Sequence, residues 1–159
     1  MGEMISFTVF GHPEPQGSTK AFIPKGWSRA VITTDNKKLK PWRQQLSQSA
    51  TAALAENKGE LLAKPAGVRL AVCFYLERPT SIPRKRALPS VKPDIDKLTR
   101  ALMDALTGTI FEDDAQVTDL VVAKRYGIPE RAEVQVEIIE DVAYKPAIAK
   151  ELPLFAEVL

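Results

Sequence analysis

The stretch KPDIDKLTRALMDALTGTIFEDDAQVTDLVVAKRY, residues 92–126, decides the fold. Within it Leu98, Ala101, Leu102, Ala105 and Leu106 recur at helical spacing, which predicts an amphipathic helix from about Asp94 to Leu106. Thr107-Gly108 stops that helix, and Ala115 to Tyr126 then reads as a strand. The stretch is reached through a long connection, Arg78 to Pro93, holding four prolines and a basic cluster. Loops of that length inside a compact domain are usually functional or mobile.

Working outward, Gly67 to Glu77 is rich in Val, Leu, Phe and Tyr and reads as a central strand. Before it, Trp42, Leu46, Ala50, Ala53 and Leu54 mark a helix that starts near Pro41 and ends at Lys58-Gly59. Ile5, Phe7 and Val9 alternate with polar residues in a first strand, and Gly11 to Gly17 is turn chemistry. Ala21 to Thr34 reads as an extended excursion, with Arg29 to Thr33 a short strand. After residue 126, Gly127-Ile128-Pro129-Glu130 joins the preceding strand to Ala132–Ile139, which predicts an antiparallel pair. The expected fold is α+β: a mixed sheet of about four strands with two main helices, in the order β-α-β-α-β-β. Residues 1–141 form the expected domain, and 142–159 a C-terminal extension, apolar enough from Tyr144 onward to dock, for instance across a subunit interface.

At 159 residues, 45% apolar and 26% charged, the chain has the composition of one globular domain with its own core. Its lone Cys73 lies in an apolar run, cannot form an internal disulfide, reads as a core residue and suits a reducing cytoplasm. No apolar run approaches the length of a membrane span, and no signal peptide is recognisable. The single His12, before a proline in a turn, is a poor ligand candidate. Gly11 to Lys20 lacks Walker spacing, with five residues between its glycines and Ser18-Thr19 after the second, so nucleotide triphosphate binding is rejected. The net charge of +2 proves no nucleic-acid partner. Its distribution is more telling, with Arg78, Arg84, Lys85, Arg86, Lys92, Lys97 and Arg100 in the middle of the chain. Glu130, Glu133, Glu137, Glu140 and Asp141 make the last strand acidic, which suggests opposed basic and acidic faces.

The chemistry is carried by Asp94 and Asp96 at the mouth of the predicted helix and by Asp113 and Asp114 after it. Crowded carboxylates raise one another's pKa, so a fold that gathers them usually supplies a cation, and oxygen-only ligands favour Mg2+ or Mn2+. Asp94, Asp96 and one of Asp113 and Asp114 are therefore expected to form a three-carboxylate cluster holding one or two such ions. Arg100 lies four residues after Asp96, on the same face, where it can meet a phosphate; the competing reading is an ion pair with Asp104. Alone, D-x-D also occurs in phosphatases, glycosyltransferases and plain helix caps. The residues together read as a metal-dependent phosphodiester hydrolase acting on DNA.

These residues resemble the RusA family of Holliday junction resolvases of phages and prophages. The resemblance rests on Asp94-Ile95-Asp96-Lys97-Leu98, on Ala101 with Asp104-Ala105-Leu106-Thr107, and on Asp113-Asp114-Ala115-Gln116-Val117. Lys124 fits as well, and the loop Gly11 to Gly17 and Trp42 add weaker support. The resemblance implies a homodimer that resolves four-way DNA junctions by paired nicks with Mg2+ or Mn2+. Its catalytic aspartates fall on Asp94, Asp96 and Asp114, with Asp113 a supporting residue or a helper ligand, and its catalytic lysine falls on Arg100. That last position is a departure, because arginine keeps the charge but not the compact, titratable ammonium. Arg84, Lys85, Arg86, Lys92, Lys97 and Lys124 are candidate DNA contacts, and Lys37, Lys38, Lys40 and Arg43 a second strip. The alternatives are a junction-binding protein with weakened catalysis and a Mg2+-dependent phosphohydrolase on a small substrate.

Overall fold

The computed structural model describes residues 4–17, 19–34, 36–57 and 59–139. The extension expected at 142–159, and Glu140 and Asp141 of the acidic set, lie outside them. The elements are β1 (Met4–Phe10), β2 (Thr19–Phe22), β3 (Val31–Thr34), α1 (Leu39–Glu56), β4 (Gly67–Leu76), α2 (Ile95–Leu106), a short 3-10 helix (Asp114–Gln116), β5 (Val117–Tyr126) and β6 (Arg131–Ile139). The fold is α+β, with the expected order for the main sheet. The excursion at 19–34 is a second, two-stranded sheet made by β2 and β3.

The main sheet runs β1-β6-β4-β5. Because side chains alternate across a strand, β4 sends Val68, Leu70, Val72, Phe74 and Leu76 to one face, and all are buried. Both helices pack there: α1 with Trp42, Leu46 and Ala50, α2 with Leu98, Leu102 and Leu106, and Ile5, Val9, Val134 and Val136 complete the core. Leu98, Leu102 and Leu106 are fully inaccessible.

Two expectations are corrected. β5 and β6 are not hydrogen-bonded neighbours, because β4 lies between them, parallel to β5 and antiparallel to β6. Tyr126 pairs with Leu76 and Arg131 with Tyr75, so the four-residue turn steps over the end of β4. The turn glycine serves that crossing: a Cβ on Gly127 would lie 2.6 Å from the Tyr75 ring. The strand with five buried apolar residues on its core face lies between its two partners, and a short connection alone does not make a hairpin. Cys73, for its part, is only half-buried and lies on the face away from the helices, among Ala71, Val121 and Ala123. It is odd-numbered in a strand whose core positions are even.

That face, which neither described helix covers, also carries the acidic side chains of the last strand. Glu137 pairs with Arg69 (3.3 Å) and Glu133 with Arg131 (2.8 Å), and the Arg131 guanidinium stacks 3.8 Å above the Tyr75 ring. Two of the acidic side chains are thus met by arginines, one from β4 and one from β6 itself.

Candidate active site

Helix α2 builds the site. With its apolar side committed to the core, its outer flank presents Asp96, Arg100 and Asp104 at successive four-residue steps. Asp94 occupies the N-cap with extended backbone (φ −72°, ψ 138°), yet its side chain makes no capping hydrogen bond. It faces the Lys97 ammonium instead, at 3.4 Å. Past α2, the chain is turned back by hydrogen bonds from Ile110 N to Leu106 O (2.9 Å) and from Gly108 N to Phe111 O (2.7 Å), over the fully buried Phe111. The short 3-10 helix then opens with Asp114.

Two adjoining recesses result. One runs along the outer flank of α2, is lined by Asp96, Arg100, Asp104 and Asp114, and has Leu120 and Val122 of β5 among its apolar walls. The other lies beyond the start of α2 and is lined by Asp94, Asp96, Lys92 and Lys124 with the end of the proline-rich loop. Asp96 belongs to both. The ion pair of Arg100 with Asp104, the competing reading, is not made, and neither the Asp96 carboxylate nor the Arg100 guanidinium has a polar partner among the described residues. Arg100 therefore keeps its five donors free on the same recess as Asp96 and Asp114.

The expected three-carboxylate cluster is not closed. Among the described residues no group of three or more acidic, His or Cys side chains comes close enough together to hold a metal ion. Asp94 is turned to Lys97, and Asp114 shares a recess with Asp96 but not with Asp94. In chemistry the donors fit a hard divalent cation, since all are carboxylates and Asp96 is uncommitted.

Asp113 points elsewhere. Its carboxylate binds Lys64 at 2.5 Å and accepts from Ala115 N at 3.0 Å. The Lys64 hydrogen bond, with that of Ala115, holds its carboxyl below the ordinary value. Gln116 completes a reciprocal capping box and carries its amide to the carbonyls of Leu62 (3.0 Å) and Ala66 (3.1 Å). This bracing went unread in the sequence, although an Asp followed three residues later by Gln is a visible cap pattern.

The basic candidates divide. Arg84, Lys85 and Arg86 are exposed in the loop, where Arg86 N closes a turn on Pro83 O (2.9 Å). Neither recess is lined by any of the three. Lys92 is exposed beside Asp94, and Lys97 faces Asp94 as described. Lys124 is half-buried on β5, and its ammonium donates to the carbonyls of Val91 (2.6 Å) and Pro93 (2.8 Å), the residues that lead into Asp94. His12 stays outside the site, paired with Glu130 at 2.9 Å.

A family model described as endodeoxyribonuclease RusA matches residues 12–137, a span that includes both helices and every residue named in the two recesses. A protein of Bacillus subtilis (strain 168), bearing the name uncharacterized protein YqaN, is 31% identical over 144 residues, which cover 84% of this chain and 96% of that protein. With most of its length matched by that model, the chain belongs to the RusA endodeoxyribonuclease family.

Proposed function

We propose that the protein is a metal-dependent, structure-selective endodeoxyribonuclease that resolves four-way DNA junctions by paired nicks. The observation that carries this reading is the meeting of Asp96, Asp114 and the unpaired Arg100 on one recess, with Asp94 and Lys92 on the recess beside it.

In this reading Asp96, with Asp94 on one side and Asp114 on the other, would hold Mg2+ or Mn2+, the three carboxylates drawing together around the ion. The ion, when bound, supplies a water acidified toward neutral pH and neutralises charge on the scissile phosphate. Arg100 binds a non-bridging phosphate oxygen and stabilises the charge that grows on it, which needs a fixed cation and no titration. Leu120 and Val122 of β5 give the recess apolar walls opposite these groups. Lys124 positions rather than binds: by holding the carbonyls of Val91 and Pro93 it fixes the approach to Asp94. Asp113 braces the 3-10 helix that carries Asp114. Arg84, Lys85, Arg86 and Lys92 attract the phosphate backbone without reading sequence. Two-fold action on a junction with two strands to cut is served by a homodimer.

The test sets a four-way junction, linear duplex and a small phosphodiester such as bis-p-nitrophenyl phosphate before the same protein with Mg2+ or Mn2+. Nicks confined to the junction and paired across it support the proposal. Turnover of the small ester alone would replace it with a phosphohydrolase. Tight junction binding without nicks would replace it with a binding protein.

A further inference from the structure

We infer that the β2–β3 hairpin is a DNA-stacking arm that places Trp27 against bases exposed at the branch point. The inference rests on the junction reading above and adds a contact that the carboxylate site does not supply.

Among the described residues the two strands pair only with each other. An isolated two-stranded ribbon is marginal in water, and this one carries a large exposed apolar surface: Phe22 is 50% exposed, Ile23 63%, Trp27 63% and Ile32 71%. The surface is shaped rather than loose. Trp27 N donates to Pro24 O at 2.9 Å, and Gly26 has φ +87°, so Pro24 to Trp27 close a turn whose third residue needs positive φ. That turn fixes where the indole emerges.

Charge selects the occupant. Residues 19–34 contain Lys20, Lys25 and Arg29 and no acidic residue, and Lys25 and Arg29 are exposed on either side of Trp27. An exposed aromatic residue with a cation two positions before it and another two after it suits a stacked base with its flanking phosphates, because every base offers a π-face while the cations meet the backbone. The base of the arm supplies the location. Gln16 N donates to Lys97 O at 3.0 Å in the first turn of α2, and Asn36 reaches Glu14 (2.9 Å) and Pro15 (3.1 Å), tying both feet of the hairpin together. The arm therefore springs from the turn that carries Asp94 and Asp96. A strand held at those carboxylates would have its neighbouring bases within the arm's reach.

The experiment measures binding, without metal, to a four-way junction carrying 2-aminopurine beside the branch and to linear duplex of matched length. Wild type, Trp27→Phe, Trp27→Ala and Gly26→Ala are compared, with sedimentation velocity on each. Stacking quenches 2-aminopurine. Trp27→Ala is expected to lose the quench and about five- to one-hundred-fold in junction affinity, with duplex affinity unchanged within twofold. Trp27→Phe keeps most of both. In Gly26→Ala an added Cβ meets nothing within 4 Å, so only the turn conformation is strained, and an intermediate loss is expected. Equal quench and affinity in wild type and Trp27→Ala overturn the inference and leave the nuclease reading standing. A smaller sedimenting species in Trp27→Ala, with junction and duplex affinity falling together, also overturns it and makes the tip a contact between copies. Failure of the wild type to bind any DNA would sink the junction reading itself.

Discussion

Replacing Lys124 by Met removes two hydrogen bonds at 2.6 and 2.8 Å that hold the carbonyls of Val91 and Pro93. Charge-assisted hydrogen bonds of this kind contribute about 1.5–3 kcal/mol each when buried. Val91 is exposed, so water replaces much of its share, and the net loss is about 1–3 kcal/mol of local ordering. That loss acts on the segment leading into Asp94 and not on the core. If the site works only with the segment in place, and these two bonds decide whether it is, the competent fraction falls about five- to one-hundred-fold. Single-turnover cleavage of a four-way junction at saturating protein and Mg2+ should slow by that factor. Junction affinity without metal should stay within about threefold, with an unchanged salt slope, since Lys124 makes no phosphate contact in this account. The reasoning is refuted by the reverse pattern, an unchanged cleavage rate with weaker binding and a salt slope smaller by about one.

Other outcomes follow from the same geometry. Lys97 competes with a metal for the Asp94 carboxylate, so Lys97→Gln should lower the Mg2+ concentration for half-maximal cleavage about two- to fivefold, the range for an exposed pair. Arg100→Ala should reduce the cleavage rate about one hundred- to one thousand-fold, whereas Arg100→Lys should retain most of it, because the role is electrostatic. For Glu130, burial pushes the carboxyl up, but the Glu77 N–H and His12 hydrogen bonds outweigh it and leave the value depressed. A depressed folded value means stability present above the ordinary carboxylate range and lost as the pH falls through that value. The difference in Tm between wild type and Glu130→Gln should therefore be full above about pH 5 and shrink below about pH 4.

The helices were legible because one side of each is apolar at a period near 3.6, and α2 was read to within a residue. Strand order was not, since nothing local in Gly127 to Glu130 distinguishes a hairpin from a step over β4; the information lies in the long-range pairing of β4 with both strands. The hairpin at 19–34 was half-read, because its exposed Phe22, Trp27 and Ile32 do not alternate as a buried strand would. At the site, the shared face of Asp96 and Arg100 followed from spacing alone. The turning of Asp94 to Lys97, of Asp113 to Lys64 and of Lys124 to two carbonyls did not. The last two are choices among partners that only the packed chain brings within reach, whereas Asp94 and Lys97 are local i,i+3 neighbours whose spacing was there to be read.

The most direct test of the central claim is cleavage of an end-labelled four-way junction in Mg2+ by wild type and Asp96→Asn side by side. Asp96 lines both recesses, is exposed and makes no hydrogen bond that folding needs, so the substitution should leave structure and junction binding intact. The account predicts paired nicks near the branch from wild type, none with EDTA, and none from Asp96→Asn. Undiminished nicking by a homogeneous, folded Asp96→Asn protein would contradict it and move the chemistry away from these two recesses.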